Sequence, residues 1–202
     1  RNQYGGLLEV DPLLPERSIR HSPWRDASAY AVGQSTDGVL WFGGGRLRSF
    51  DGTTWSLLSQ PRGLTSWVHG IIGTPDGDLW VGTRSYGIFR RHDGAWSQYS
   101  VDDGLSTNLV QSILRAADGT LWAATSAGIN RFDGQTWTAY GSPVDRFIGW
   151  GGALRQSADG SIWINSEADG YETVRYRAGT SPPETEITLS LDDVAESGNT
   201  VV

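Results

Sequence analysis

The sequence predicts an all-β chain: a β-propeller of four-stranded antiparallel blades, with about four blades in view. Three observations predict it. One phrase recurs as Asp37-Gly38-Val39-Leu40-Trp41, Asp76-Gly77-Asp78-Leu79-Trp80, Asp118-Gly119-Thr120-Leu121-Trp122 and Asp159-Gly160-Ser161-Ile162-Trp163, its tryptophans 39, 42 and 41 residues apart. A second set, Trp55, Trp96 and Trp137, keeps the same phase at spacings of 41 and 41. A second turn, Asp51-Gly52, Asp93-Gly94 and Asp133-Gly134, precedes each of these. A period near forty, built from turn signals and β-formers, marks a unit that cannot bury its apolar faces alone and stacks radially. A β-sandwich also uses many short strands, but it demands no such period.

The elements follow in order. Leu7 to Val10 is a short strand candidate, and Asp11 to Arg25, rich in Pro and charge, reads as a loop. Ala29 to Gln34 aligns with Val68 to Gly73 and Val110 to Arg115 as the first strand of a unit. The Asp-Gly pair that follows is a hairpin turn, because Gly tolerates positive φ and Asp bonds its own backbone. In the third unit, Leu121 to Thr125, Ile129 to Phe132 and Trp137 to Tyr140 are the remaining strands. The neighbouring second strand is apolar on both sides at Leu79-Trp80-Val81, as expected of a sheet covered on both faces, and Gly82 and Ala124 keep it thin where blades approach.

The fourth unit supplies strands at Gly152 to Gln156, Ile162 to Asn165 and Thr173 to Tyr176, then meets Ser181-Pro182-Pro183. No outer strand with Trp follows, so Leu7 to Val10 is the candidate to complete that blade. Glu186 to Ser190 alternates like the opening strand of a different β domain. The expected organisation is an N-terminal segment with the first inner strand at 1–34, blades at 35–178, and a linker with the opening strand of a β-sandwich at 179–202.

Composition narrows the function classes. The 202-residue chain carries a net charge of -7 and no run of Lys or Arg, which argues against nucleic acid and anionic membrane partners. It has no cysteine, so disulfides, thiolate metal sites and cysteine catalysis are excluded. No apolar stretch approaches the ~18 residues of a membrane span. Arg1 opens the chain and no Met occurs, which suggests a processed or excised piece of something longer. No nucleophile elbow, zinc-helix signature, phosphate loop or dinucleotide fingerprint is present, and neither a cofactor nor a metal is expected.

The repeats resemble the two-component regulator propeller family. The carrying residues are Asp76-Gly77-Asp78-Leu79-Trp80-Val81-Gly82-Thr83, Gly87 to Gly94, Trp96, Tyr99 and Asp103-Gly104-Leu105, and again Gly128 to Gly134. The match runs from about Ser35 to Arg177. The resemblance implies a periplasmic or extracellular sensor region of a bacterial signalling protein, often with oligosaccharide ligands. It also implies an immunoglobulin-like domain entered near Ser181-Pro182-Pro183. This chain departs from the family in showing only about four blades and in the decay of the pattern at Asn165 to Asp169. The missing surroundings are expected from further blades or domains of a longer parent chain, or from a homo-oligomer.

Candidate site residues are few once packing is accounted for. The Asp-Gly pairs are hairpin turns rather than calcium loops, for no D-x-D-x-D-G pattern occurs. The seven tryptophans in repeat positions are structural. Trp67 and Trp150 lie just before inner strands, at the propeller face where ligands usually bind. His69 sits beside Trp67, with Tyr30, Gln111 and Gly152 as its equivalents. Arg84 and Tyr86 occupy a loop on the same face, with Arg46 and Ser126 in nearby positions. Trp67, His69, Arg84, Tyr86 and Trp150 therefore form the expected ligand site, an Arg with aromatics suiting sugar hydroxyls or a sugar acid. His21 and His92 are expected to be solvated. The rival classes are a propeller lyase or hydrolase using His69, Tyr86 and Arg84, and a structural propeller that binds protein through its rim.

Overall fold

The computed structural model describes residues 7–9, 19–21, 29–59, 61, 64, 66–140, 154–166, 172–176 and 185–188. Strand β1 (Leu7–Glu9) pairs with β2 (Ile19–His21) in a two-stranded sheet of its own. The segment expected to complete the fourth blade thus pairs locally, where loop closure is less costly.

The first blade is a meander of β3 (Ala29–Gln34), β4 (Leu40–Gly44), β5 (Arg48–Phe50) and β6 (Trp55–Leu57). The second has β7 (Val68–Gly73), β8 (Leu79–Thr83), β9 (Ile88–His92) and β10 (Ala95–Tyr99). The third has β11 (Val110–Arg115), β12 (Leu121–Thr125), β13 (Gly128–Phe132) and β14 (Trp137–Ala139). The fourth has β15 (Leu154–Gln156), β16 (Ile162–Ser166), β17 (Glu172–Tyr176) and β18 (Thr185–Thr188). All neighbours within a blade are antiparallel. β18 pairs with β17, Val174 opposite Ile187 and Tyr176 opposite Thr185. The alternating stretch that the sequence suggested as the opening of another domain therefore supplies the outer strand of this blade.

The turns follow the residue chemistry. Gly38, Gly77, Gly119 and Gly160 have φ between 85° and 93°. The Asp51 carboxylate accepts from the backbone N–H of Thr53 and Thr54 at 2.8 and 2.7 Å, and Asp133 likewise from Gln135 and Thr136 at 2.8 Å each. These bonds favour the ionised carboxylate and hold Asp51 and Asp133 below the ordinary value of 3.8, while hydroxyl bonds from Ser35, Thr74 and Ser157 do the same for Asp37, Asp76 and Asp159.

Three apolar clusters fill the spaces between consecutive blades. Trp41, Val68, Ile71 and Val81 meet between the first and second, Trp80, Val110, Ile113 and Trp137 between the second and third, and Trp122, Ile129, Leu154 and Tyr176 between the third and fourth. Each indole contributes an upper bound of about 5 kcal/mol, from ~200 Å² at ~25 cal/mol per Å². Trp41, Trp80, Trp122 and Trp137 are buried as expected, but Trp55, Trp96 and Trp163 are only partly so. Trp55 and Trp96 stand on outer strands, and no described blade lies beyond Trp163. Gly82 permits the second interface: a Cβ there would lie 2.7 Å from Val110 Cγ1.

The inner strands β3, β7, β11 and β15 pack successively against one another. Three of them break register at one place. The ladder skips Tyr30 between Ala29 and Ala31, His69 between Val68 and Gly70, and Gln111 between Val110 and Ser112. A bulge leaves its extra residue outside the ladder and re-aims the side chain.

Candidate functional site

The bulges bring the site together. Tyr30, His69, Gln111 and Arg155, one from each blade, line a pocket of about 410 Å³, with Val32 and Ser112 between them. The pocket lies along the inner strands, on the axial side of the blades. At its edge the Tyr30 and Trp67 rings are 5.2 Å apart and tilted by 48°, and Tyr30 meets the His69 imidazole edge-on at 6.5 Å. Tyr30 is 55% exposed and Trp67 44%, so this aromatic pair faces solvent.

Of the residues expected at the ring face, Trp67, His69 and Arg84 are brought together. The Arg84 N–H donates to the Trp67 carbonyl at 2.8 Å, which fixes the β8–β9 loop against the entry to β7. The third blade repeats the bond from Ser126 N–H to the Leu109 carbonyl at 3.1 Å. Burial, and after it the Arg84 charge, holds the half-buried His69 imidazole below its ordinary 6.5, while a backbone hydrogen bond at Val110 acts in the opposite sense. Tyr86 shares the loop, but no aromatic contact ties its exposed ring to the others among the described residues. Its carbonyl accepts from Gln98 Nε2 at 2.9 Å, toward the outer strand. Trp150 lies outside the described residues.

Sequence reasoning noted Tyr30 and Gln111 only as equivalents of His69, and it passed over Arg155. The signal was present in the aligned runs Ala29-Tyr30-Ala31, Val68-His69-Gly70 and Val110-Gln111-Ser112. Each places one polar or aromatic residue at the second position of an inner strand, after a buried Val in the second and third blades.

The opposite edge carries a second feature. A groove of about 850 Å³ runs between the second and third blades, where Asp76, Asp78, Asp118 and Asp133 alternate with Arg90, Arg115 and Arg131. Asp78 is 1% exposed and accepts from Arg90 Nε at 2.5 Å, with His92 Nδ1 also at 2.5 Å. His92 is solvated as expected, its side chain 57% exposed, and is also tethered to Asp78. Arg90 also lies over the Trp80 ring, 5.3 Å from its centroid. The fourth blade repeats the device: Arg175 bonds Asp159 and Ser161 and covers Trp163 at 5.5 Å. The repetition marks a lock between the first turn and the third strand of a blade. Among the described residues no group of three His, Cys, Asp or Glu gathers to hold a metal.

Comparison with known proteins agrees with this architecture. Residues 104–127 match the family model for the two component regulator propeller. No curated protein sequence matches the chain. The extracellular domain of BT4673 from B. thetaiotaomicron, classed as a one component system, superposes with a TM-score of 0.68 at 18% identity, over 92% of this chain and 28% of that one. The extracellular domain of the hybrid two component system BT3049 from the same organism gives 0.63 at 18%, over 74% and 22%. Virginiamycin B lyase from Staphylococcus aureus gives 0.67 at 21%, over 85% and 59%. The chain thus spans less than two thirds of each of these structures, and the likeness is one of fold. The matched segment runs from the Gly104 loop through β11 to the β12–β13 turn and is similar to the two component regulator propeller repeat, and the chain as a whole has the fold of a run of propeller blades.

Proposed function

We propose that this chain is a non-catalytic sensor propeller of a bacterial signalling protein, that it works in the periplasm or outside the cell, and that it captures a carbohydrate. The observation that carries the reading is the solvent-facing pair Tyr30 and Trp67, 5.2 Å apart at the edge of the axial pocket. Exposed aromatic rings beside polar groups are what a sugar face and its hydroxyls require. Occupancy would favour one arrangement of the propeller relative to its neighbours and so shift a signalling equilibrium. Those neighbours are further blades or domains of a longer protein, or another copy. The family match and the likeness to extracellular domains of two component systems support this reading.

A catalytic reading draws on the likeness to virginiamycin B lyase. It needs an acid and a base that converge. His69 lies at the pocket, but no carboxylate accompanies it there among the described residues, and Tyr86 is not among the residues that line it. The non-catalytic reading therefore has the better support.

A thermal-shift screen of the chain against neutral oligosaccharides tests it. A ligand at a hundred times its Kd stabilises the native state by about 2.7 kcal/mol. The shift should vanish in Trp67→Ala and Tyr30→Ala. Silence across the panel, or a full shift in both variants, would end the proposal.

A further inference from the structure

Two cavities among the described residues differ in charge. The groove between the second and third blades is lined by four carboxylates. The axial pocket is lined by none among the described residues, in a chain that holds 23 Asp and Glu. Its ionisable groups are Tyr30, His69 and Arg155. Arg155 is exposed, and its Nη1 donates to the carbonyl of the preceding Leu154 at 3.0 Å. The guanidinium therefore keeps further donors for a ligand. Gln111 and Ser112 add neutral polar groups on β11, between Arg155 and His69.

We propose that the axial pocket is an anion site: it takes a carboxylate carried by the ligand, held by Arg155, with His69 as a second group that takes up a proton on binding. This deepens the sensor reading and rests on it for the aromatic entrance.

The net charge of -7 does not oppose the site. At physiological ionic strength the Debye length is about 8 Å, so distant surface carboxylates are screened while groups lining the pocket are not. A carboxylate meeting a guanidinium forms charge-assisted hydrogen bonds about twice as strong as neutral ones. A neutral sugar gains nothing comparable from Arg155. The charge acting on His69 is that of Arg84 from the β8–β9 loop, with a backbone hydrogen bond at Val110 in the opposite sense; Tyr30 from β3 and Arg155 from β15 line the same pocket, and β11 presents Gln111 and Ser112, which carry no charge. In the empty site burial and Arg84 favour the neutral imidazole. An anion placed between Arg155 and His69 reverses part of that effect and favours the imidazolium. Binding then draws in a proton, and affinity falls as pH rises through the His69 titration.

Calorimetry on the whole chain tests the proposal, with cellobiose, its glucuronate-terminated counterpart cellobiouronate, and succinate as probes. Cellobiouronate should bind at least about tenfold more tightly than cellobiose at pH 6, a difference that shrinks in high salt. Titrations in buffers of different ionisation enthalpy should register proton uptake. Arg155→Gln should remove the preference for the acid, and His69→Gln should remove the proton uptake. Arg155 is exposed, so folding of its variant is not at issue, and native fluorescence of both variants confirms it. Succinate binding as tightly as cellobiouronate would assign recognition to the carboxylate alone, in support of the anion site; weaker succinate would show that the aromatic entrance contributes, also in support. Cellobiose equal to cellobiouronate overturns the anion site and leaves the sensor reading standing. Binding by none of the three overturns the anion site, and the sensor reading falls only if the neutral panel is silent too.

Discussion

The Asp78 carboxylate, 1% exposed, accepts from Arg90 Nε at 2.5 Å and so ties the start of β8 to the middle of β9. Arg90 in turn caps the Trp80 indole, which fills the interface between the second and third blades. One ion pair thus couples a turn, a strand and a blade contact. Asp78 is buried but Arg90 is 26% exposed, so loss of the carboxylate leaves a cation that water still reaches. Asp78→Ala should destabilise the fold by about 1–3 kcal/mol, the scale of lost charge-assisted hydrogen bonds. Urea unfolding followed by tryptophan fluorescence measures this, and a loss under about 0.5 kcal/mol would refute the lock.

Gly82 sets how closely the second and third blades approach. A Cβ at this position meets Val110 Cγ1 at 2.7 Å and Ile113 Cδ1 at 3.2 Å. Gly82→Val should cost about 1–3 kcal/mol through overpacking. Gly45→Ala is the control, since nothing lies within 4 Å of its added Cβ and its φ is not in the left-handed region. Thermal midpoints that fall equally in the two variants would show that the interface yields.

Acid should unfold the protein through its turns. Asp37, Asp51, Asp76, Asp133 and Asp159 all have folded values below the ordinary carboxylate value. The native state then binds fewer protons than the unfolded one in the window between those folded values and about 3.9. Stability is fully present above that window and is lost as pH falls through it. Asp133→Asn can still accept from Gln135 and Thr136 N–H, but it carries no titrating group. Its stability should depend less on pH below about 4 than that of the parent. Parallel pH curves for the two proteins would count against the role of this turn.

His69 should titrate below 6.5, and Arg84→Gln should raise the value, because the Arg84 charge is one cause of the depression. The unfolded chain protonates at the higher pH. The fold therefore loses stability from this group as pH falls below 6.5 toward the folded value, and gains nothing more above it. Imidazole resonances followed by NMR report the titration. A shift of the wrong sign in Arg84→Gln would separate the two residues.

Much of the fold was legible in the amino-acid order. β3, β7, β11 and β12 span the residues that periodicity assigned to them, and the Asp-Gly turns carry the predicted glycine conformation. The same alignment equated Tyr30, His69 and Gln111, which all prove to be bulged residues. Less was legible where two distant segments meet. The Tyr30–Trp67 contact, the tether of His92 to Asp78, and the place of Arg155 in the same pocket as His69 carry no spacing rule.

The order of residues determined by itself where each strand begins and turns, because hydrogen bonds inside a hairpin and the φ of a glycine depend on neighbours a few positions away. Only the assembled tertiary structure decided which strand completes the fourth blade and which side chains share the axis. Those outcomes rest on blade packing between residues far apart in the chain, where an alternating strand such as Thr185–Thr188 suits either a new domain or an existing edge until the partner β17 is in place.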